Sequence, residues 1–186
     1  MATTDRVITL QQFLKLPEQK PAVEFAEGRV QQKMSPKGEH SVLQAALIKT
    51  IDGFAEPLRL ARAFPELRTT FAGRSYVPDV SVYRWERIPV GPDGRVVSDF
   101  FDPPDIAIEI LSAGQNVGEQ TRKCEWYVGN GVPIALLVLP DEESLRRFAP
   151  GSALQTLSGG DTIDLEAVLP GFRLTARELF DSLRLR

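Results

Sequence analysis

The stretch from Asp105 to Tyr127, DIAIEILSAGQNVGEQTRKCEWY, limits the possible fold of this chain more than any other. In its first residues every second position is an isoleucine. This period of two predicts a strand with three isoleucines on one face. Glu109 lies on the opposite face among apolar neighbours, where a carboxylate is unfavourable unless something pairs with it. A polar break follows, and a helix carrying Lys123 is expected from about Glu119 to Val128.

A second acid lies in an apolar run upstream, in the segment 76–83, YVPDVSVY. Alternation places Val80 and Val82 on one face of this predicted strand and Asp79 on the other. Two strands with one acid each, followed by a lysine on the next helix, suggest a metal site. The chain has one cysteine and one histidine, so the ligands of such a site would be oxygen atoms, which favours Mg²⁺ or Mn²⁺.

Composition narrows the class of protein. A chain of 186 residues that is 42% hydrophobic can bury a substantial core, and we expect one domain over residues 1–186. The net charge of −3 argues against a strong general affinity for nucleic acid, although it leaves room for a local basic patch. A lone cysteine, Cys124, excludes an intrachain disulfide, and no apolar run reaches membrane-spanning length or resembles a signal peptide, so a cytoplasmic location is expected.

The rest of the chain predicts a mixed α/β fold with a central sheet flanked by helices. Residues 85–101 are expected to form a long polar surface loop. The other expected strands are 22–26, 29–34, 58–63, 67–71, 133–139, 144–148 and 153–157, and the other expected helices are 10–16, about 41–54 and 176–183.

Several segments, in this order, resemble one known family. They are VEFAEGRVQQKMSP, VPDVSVY, PPDIAIEILS, the lysine-to-tyrosine helix, GVPIALLVLP and LPGFRLTARELF. Together they resemble the Uma-type "putative restriction endonuclease" family, formerly a domain of unknown function, which is placed in the PD-(D/E)XK nuclease superfamily. The resemblance extends from about Leu10 to Phe180. It implies a restriction-endonuclease-like fold with an N-terminal hairpin extension and metal-dependent hydrolysis of DNA phosphodiester bonds.

The resemblance also implies roles for individual residues. Asp79 matches the aspartate of the PD element, and Glu109 matches the acid of the (D/E)XK element, so both would bind the metal. The lysine of that element is expected two residues after the glutamate, where this chain has Leu111. The family is similar in lacking it there, and the lysine that replaces it on the following helix is Lys123 here.

Two further positions match the family, and one segment departs from it. Glu24 matches an acid of the opening hairpin that would support a ligand or a second metal. His40 matches a position that is often histidine, and we interpret it as a hydrogen-bonding group at a helix start. At Ala135–Leu139 an acid and two aromatic residues of the family pattern are missing. This departure, with the acidic net charge, supports an alternative in which the chain is a catalytically weak nucleic-acid-binding or regulatory module.

Each candidate also has a purely structural interpretation, and Glu24 could be only a charged residue of the hairpin. Asp79 follows a proline, a common arrangement at strand ends and turns. Glu109 could pair with a buried arginine such as Arg68 or Arg122. Lys123 could form only a solvated pair with Glu119, one turn earlier on the helix.

Two further expectations concern electrostatics and assembly. If Asp79 and Glu109 approach one metal, their charges should repel when the metal is absent, so Asp79→Asn should raise the melting temperature in EDTA or leave it unchanged. Many nucleases of the superfamily that the chain resembles act as dimers, so we expect a homodimer, with Phe100 and Phe101 as exposed interface anchors.

Overall fold

A six-stranded mixed sheet and a four-stranded antiparallel sheet form the frame of the computed structural model, which describes residues 7–185. The helices are α1 (Leu10–Phe13), α2 (Gly38–Ala55), α3 (Val117–Gly129) and α4 (Ala176–Asp181). The strands are β1 (Val23–Ala26), β2 (Arg29–Gln32), β3 (Ala61–Pro65), β4 (Thr69–Phe71), β5 (Arg74–Tyr76), β6 (Val80–Arg84), β7 (Ile106–Ile110), β8 (Ile134–Leu139), β9 (Ser144–Phe148) and β10 (Gln155–Ser158).

The large sheet has the strand order β10-β9-β8-β7-β6-β3. The β7–β8 pair is parallel, because α3 carries the chain back between these two strands, and all other neighbours are antiparallel. All six residues of β8 are buried, as its continuous apolar sequence predicts. The mixed α/β fold with helices on both sides of a central sheet is confirmed.

The two faces of the large sheet have different coverings. The three isoleucines of β7 pack with α2 and α4 in the main core, joined by Leu43, Leu47 and Phe180. Ala107, on the opposite face of β7, packs with Cys124 and Tyr127 of α3 in a second cluster. The period-two alternation of β7 therefore sorts its side chains as predicted.

The small sheet has the order β2-β1-β5-β4, and its β1–β2 hairpin confirms the predicted N-terminal extension. The turn residues Glu27 and Gly28 both have positive φ, 53° and 79°, which is typical of tight hairpin turns. Glu24 and Gln31 are direct cross-strand partners. Their side chains therefore lie on the same face of the hairpin.

The region around Asp79 differs from the continuous strand predicted in the segment 76–83. β5 ends at Tyr76 and β6 begins at Val80, and these two strands belong to different sheets. Asp79 therefore lies in the bend where the chain passes from the small sheet to the large one. Pro78 explains the break, because proline has no N–H for a sheet hydrogen bond.

The insertion after β6 is better packed than a loose surface loop. Its first residues form a 3₁₀ turn, Trp85–Arg87, and Arg84 and Arg87 both form ion pairs with the fully buried Asp105. Phe100 is 3% exposed and packs against Tyr83 with ring centroids 4.9 Å apart, so the prediction that it is an exposed anchor is wrong. Phe101 is 61% exposed.

Within residues 7–185 no helix has both the length and the apolar character needed to cross a lipid bilayer.

Candidate active site

Five charged side chains from separate parts of the chain converge in a cleft of about 820 Å³. They are Glu24 of β1, Lys33 just after β2, Asp79 before β6, Glu109 of β7 and Lys123 of α3. The cleft lies where the hairpin of the small sheet meets the α3 side of the large sheet. The four residues proposed from the sequence as catalytic all line it.

Asp79 is held by donors on both of its carboxylate oxygens. Oδ2 accepts hydrogen bonds from the Ile110 backbone N–H at 2.7 Å and from His40 Nε2 at 3.1 Å. Oδ1 accepts one from Lys33 Nζ at 2.7 Å. Burial would raise the pKa of Asp79, but the His40 hydrogen bond and the Lys33 charge outweigh burial and hold the pKa below its ordinary value.

The sheet register explains why Asp79 and Glu109 are neighbours. Val80 pairs with Ile108 in the antiparallel β6–β7 ladder. One step beyond that pair, Asp79 lies opposite Glu109. The Ile110 N–H that Asp79 accepts belongs to the residue after Glu109, so the backbone itself holds the aspartate beside the glutamate.

Glu109 has two donors on one oxygen. Its Oε1 accepts a hydrogen bond from Tyr127 at 2.7 Å and lies 2.9 Å from Lys123 Nζ. Among residues 7–185, no donor bonds its Oε2. Burial is the main reason that the pKa of Glu109 is raised; Lys123 opposes the rise, and the nearby charge of Asp79 adds to it. The alternative in which an arginine pairs with Glu109 is wrong.

Lys123 connects two carboxylates. Its Nζ bonds both oxygens of Glu24, at 2.8 and 3.0 Å, as well as Glu109 Oε1. Burial disfavours the charged lysine, but Glu109 and Glu24 outweigh it and raise the pKa of the ammonium group above its ordinary value. The side chain is only 10% exposed, so the solvated pair with Glu119 is not the role of this lysine.

Glu24 joins the small sheet to the site. Besides accepting from Lys123, its Oε1 accepts the Val77 backbone N–H at 2.8 Å. Val77 lies in the crossing between β5 and β6, two residues before Asp79. Glu24 therefore helps to position the segment that carries Asp79.

Lys33 is a site residue that the sequence reasoning missed. Its Nζ bonds Asp79 Oδ1 at 2.7 Å and the Val77 carbonyl at 2.6 Å. A signal was present, because Glu24 and Gln31 are cross-strand partners and Lys33 is two residues beyond Gln31, on the same face. Reading the hairpin register would have placed Lys33 beside Glu24.

His40 lies in the first turn of α2 and is buried. It donates from Nε2 to Asp79, as expected for a hydrogen-bonding group at a helix start, while its Nδ1 has no hydrogen-bond partner among the described residues. One turn later Gln44 donates to the Asp79 backbone carbonyl at 2.8 Å. The start of α2 therefore holds both the side chain and the backbone of Asp79.

The expected repulsion between the two acids is only partly present. The charge of Asp79 does raise the pKa of Glu109, but Asp79 itself is compensated by Lys33 and His40. The sequence-based expectation that Asp79→Asn would not lower stability is therefore unsupported by these contacts. Neutralising Asp79 would remove the partner of a lysine that is largely buried.

The carboxylate oxygens of the site are ligands of the type that binds a divalent cation. No group of three or more His, Cys, Asp or Glu side chains within residues 7–185 is arranged to hold a metal ion. Asp79 and Glu109 nevertheless offer adjacent carboxylates to one cleft, and the unbonded Oε2 of Glu109 is a hard oxygen donor of the type that Mg²⁺ and Mn²⁺ prefer. A cation there would also relieve the effect of Asp79 on the neighbouring glutamate.

These features define a class, the α/β proteins of restriction-endonuclease-like fold with acids and a lysine gathered beside the central sheet. The sequence profile of the Uma2 family, described as "Putative restriction endonuclease", matches residues 10–177. The chain belongs to this family, which confirms the resemblance drawn from its motifs.

A solved structure supports the same class. The chain is similar to the crystal structure of "a putative nuclease belonging to DUF820" from Anabaena variabilis ATCC 29413, with a TM-score of 0.91 and 36% identity. The match covers 95% of this chain and 99% of that one. No curated protein matches this chain.

Proposed function

We propose that this protein is a metal-dependent endonuclease that hydrolyses DNA phosphodiester bonds. The observation that carries the proposal is the pairing of Asp79 and Glu109 on adjacent segments of one cleft, with Lys123 Nζ 2.9 Å from Glu109. Family membership and the likeness to a protein from Anabaena variabilis described as "a putative nuclease" support a nuclease. The metal and the DNA substrate are our inference from the chemistry of the site.

Asp79 and Glu109 would hold Mg²⁺ or Mn²⁺ in this proposal. Such a cation supplies a Lewis acid that polarises a phosphoryl oxygen and lowers the pKa of a bound water. The backbone N–H of Ile110 and the imidazole of His40 orient the Asp79 carboxylate, and Tyr127 orients that of Glu109. The protein therefore presents two preoriented acids.

Lys123 would act on the nucleophile or on the charge that develops on phosphorus. Its ammonium group is fixed by Glu24 and Glu109 and lines the cleft. A fixed positive charge in a partly dry site stabilises a developing negative charge without reorganising in the reaction. Glu24 supports this role, because both of its carboxylate oxygens bond the ammonium group and hold the lysine in place.

The charge balance of the site favours a requirement for a cation. Three carboxylates and two ammonium groups, leaving the imidazole aside, carry one excess negative charge. That charge would repel a phosphodiester, whereas a divalent cation reverses its sign. The cleft is also lined by Arg29, Arg74 and Arg122, which can contact the phosphate backbone.

Cleavage of supercoiled plasmid DNA tests the proposal. The wild type should nick or linearise the plasmid with Mn²⁺ and should leave it intact in EDTA, whereas Glu109→Gln should be inactive with Mn²⁺. Glu125→Gln is the matched control, because Glu125 also lines the cleft but is exposed and bonds none of the site residues. Equal cleavage by Glu109→Gln and the wild type would refute the proposed role of Glu109.

One observation favours the second candidate, a catalytically weak nucleic-acid-binding or regulatory module. Each of the three acids already has a lysine of the chain as its counter-ion. Acids that are all paired with lysines of the same chain can form a structural network. Calorimetric titration with Mn²⁺ separates the two functions, since the nuclease should bind the ion through Asp79 and Glu109 and the module need not.

We also propose that the protein acts as a homodimer, in which each of the two clefts cleaves one of the two DNA strands. Phe101 remains the candidate anchor, because its ring is largely exposed at the end of the insertion. Multi-angle light scattering should give twice the mass of the chain, and Phe101→Asp should shift the equilibrium toward monomer. A monomeric wild type at high micromolar concentration would remove this proposal.

A further inference from the structure

Lys33 is placed as a counter-cation for Asp79. Its Nζ bonds Asp79 Oδ1 at 2.7 Å, and its side chain is 13% exposed at the wall of the cleft. Within residues 7–185 it is the one donor to this oxygen, since the Ile110 N–H and His40 both bond Oδ2. Lys33 therefore occupies the carboxylate oxygen that the backbone leaves open.

The two sets of donors to Asp79 differ in how easily they can leave. The Ile110 N–H belongs to the central strand β7, and the His40 imidazole is buried at the start of α2. Lys33 follows the last residue of β2, and its ammonium group is at the end of a flexible four-carbon chain. A cation arriving from the cleft would meet a fixed oxygen, Oδ2, and an oxygen covered by a displaceable group.

We propose that Lys33 is a built-in competitor for the metal at Asp79: its ammonium group neutralises the aspartate when no metal is bound, and a divalent cation must displace it. This inference rests on the proposed metal site. Lys33 would set the affinity for the metal. This role differs from that of Lys123, whose ammonium group bonds Glu24 and Glu109. The departing ammonium group keeps the Val77 carbonyl within reach as a partner, because it already bonds that oxygen at 2.6 Å.

The first test compares Mn²⁺ affinity by calorimetry for the wild type, Lys33→Met and Lys37→Met. Lys33→Met keeps the length of the apolar stem and removes the competing charge, so it should bind Mn²⁺ at least about tenfold more tightly, the order expected when a like charge a few ångströms away is removed. Lys37→Met removes a nearby exposed lysine at the N-cap of α2 and should change the affinity by less than about twofold.

The melting temperature in EDTA provides a second readout. It should be lower for Lys33→Met than for the wild type, and Lys37→Met should not lower it. If Lys33→Met is too unstable to titrate, the wild type itself gives the test. Amine acetylation of Lys33, followed by mass spectrometry, should be slow in EDTA and faster with Mn²⁺. The same comparison in Asp79→Asn should show no Mn²⁺ effect.

The outcomes separate this inference from the proposed function. If the wild type binds Mn²⁺ and Lys33→Met binds it no more tightly, or if Mn²⁺ leaves the acetylation of Lys33 unchanged, the competitor role is overturned and the nuclease remains. If the wild type does not bind Mn²⁺ but Lys33→Met does, the competitor role is supported. If neither protein binds Mn²⁺, both the metal site and the competitor role fail.

Discussion

The two faces of strand β7 are buried in different ways, although their residues are neighbours in the sequence. On one face Ile106, Ile108 and Ile110 are buried in a core of apolar side chains from α2, α4 and neighbouring strands. On the other face Glu109 is 4% exposed and depends on Tyr127 and Lys123 of α3. The same strand thus contributes to the main core and to the candidate active site.

The difference shows how much each face depends on specific partners. Apolar burial is non-directional, so the isoleucine face needs only a covering of suitable shape. The charged face needs donors and acceptors at defined atoms. The donors come from the end of β2, the start of α2 and α3, and β1 contributes the carboxylate of Glu24 as an acceptor. We therefore expect conservative changes on the charged face to have larger effects than conservative changes on the apolar face.

Removing the Lys123 charge should have the largest effect on stability. Lys123→Met leaves Glu24 and Glu109 without their shared counter-ion in a largely buried site, which should cost about 3–5 kcal/mol of unfolding free energy. Urea denaturation in EDTA measures this loss. The double variant Glu24→Gln/Lys123→Met should recover part of it, with a coupling energy of about 0.5–3 kcal/mol, and strictly additive losses would show that the two residues do not interact.

Neutralising Asp79 should have the next largest effect, and it should depend on pH. The folded protein holds the pKa of this acid below its ordinary value, so ionised Asp79 stabilises the fold above the unfolded pKa of about 4. Asp79→Asn should therefore cost about 2–3 kcal/mol at pH 7. The difference from the wild type should shrink as the pH falls below about 4, through the folded pKa.

Unfolding of both proteins in EDTA across that pH range checks the sign. Asp93→Asn, in the exposed turn of the insertion, is a control that should cost less than about 0.5 kcal/mol. A melting temperature for Asp79→Asn above that of the wild type at pH 7 would restore the original expectation of repulsion between the acids.

Removing one hydroxyl group compares the charged site with a neutral one. Tyr127→Phe deletes the hydrogen bond to the Glu109 carboxylate and should cost about 1.5–3 kcal/mol. Tyr83 is an equally buried tyrosine whose hydroxyl donates to the Asp102 backbone carbonyl, so Tyr83→Phe should cost only about 0.5–1.5 kcal/mol. Equal losses for the two variants in urea denaturation would mean that the charge of Glu109 adds nothing to its hydrogen bond.

The smallest loss of unfolding free energy is expected for a substitution on the apolar face. Ile108→Val removes one buried methylene group from the main core and should cost about 1 kcal/mol, with no effect on Mn²⁺ binding. Val90→Ala, at a residue that is 59% exposed in the insertion, is the control and should be within about 0.5 kcal/mol of the wild type. A loss for Ile108→Val larger than that for Tyr127→Phe would reverse the ranking of the two faces.

Local patterns predicted most of the elements. The alternation around Glu109 predicted β7. The helices expected from residues 10 and 176 begin there, and Thr9 and Thr175, which precede them, form capping boxes. The break at Asp79 was missed because the alternation continues through Pro78, and alternation alone does not show that the chain passes there from one sheet to another. The burial of Phe100 was missed because it depends on a contact with Tyr83, a packing fact rather than a local one.

The sequence by itself determined which polar side chains lie on which face of a strand and which types of metal ligand the chain can offer. The alternation of β7 puts Glu109 on the face opposite the isoleucines, and one histidine and one cysteine exclude multi-histidine and multi-cysteine metal sites within one chain. Only the tertiary structure decided which cation meets which acid. Lys123 and Glu24 are 99 residues apart, and Lys33 and Asp79 are 46 apart. Pairing over such separations depends on sheet order and hairpin register, because an ion pair requires atoms within about 4 Å of each other and local propensity does not set that distance.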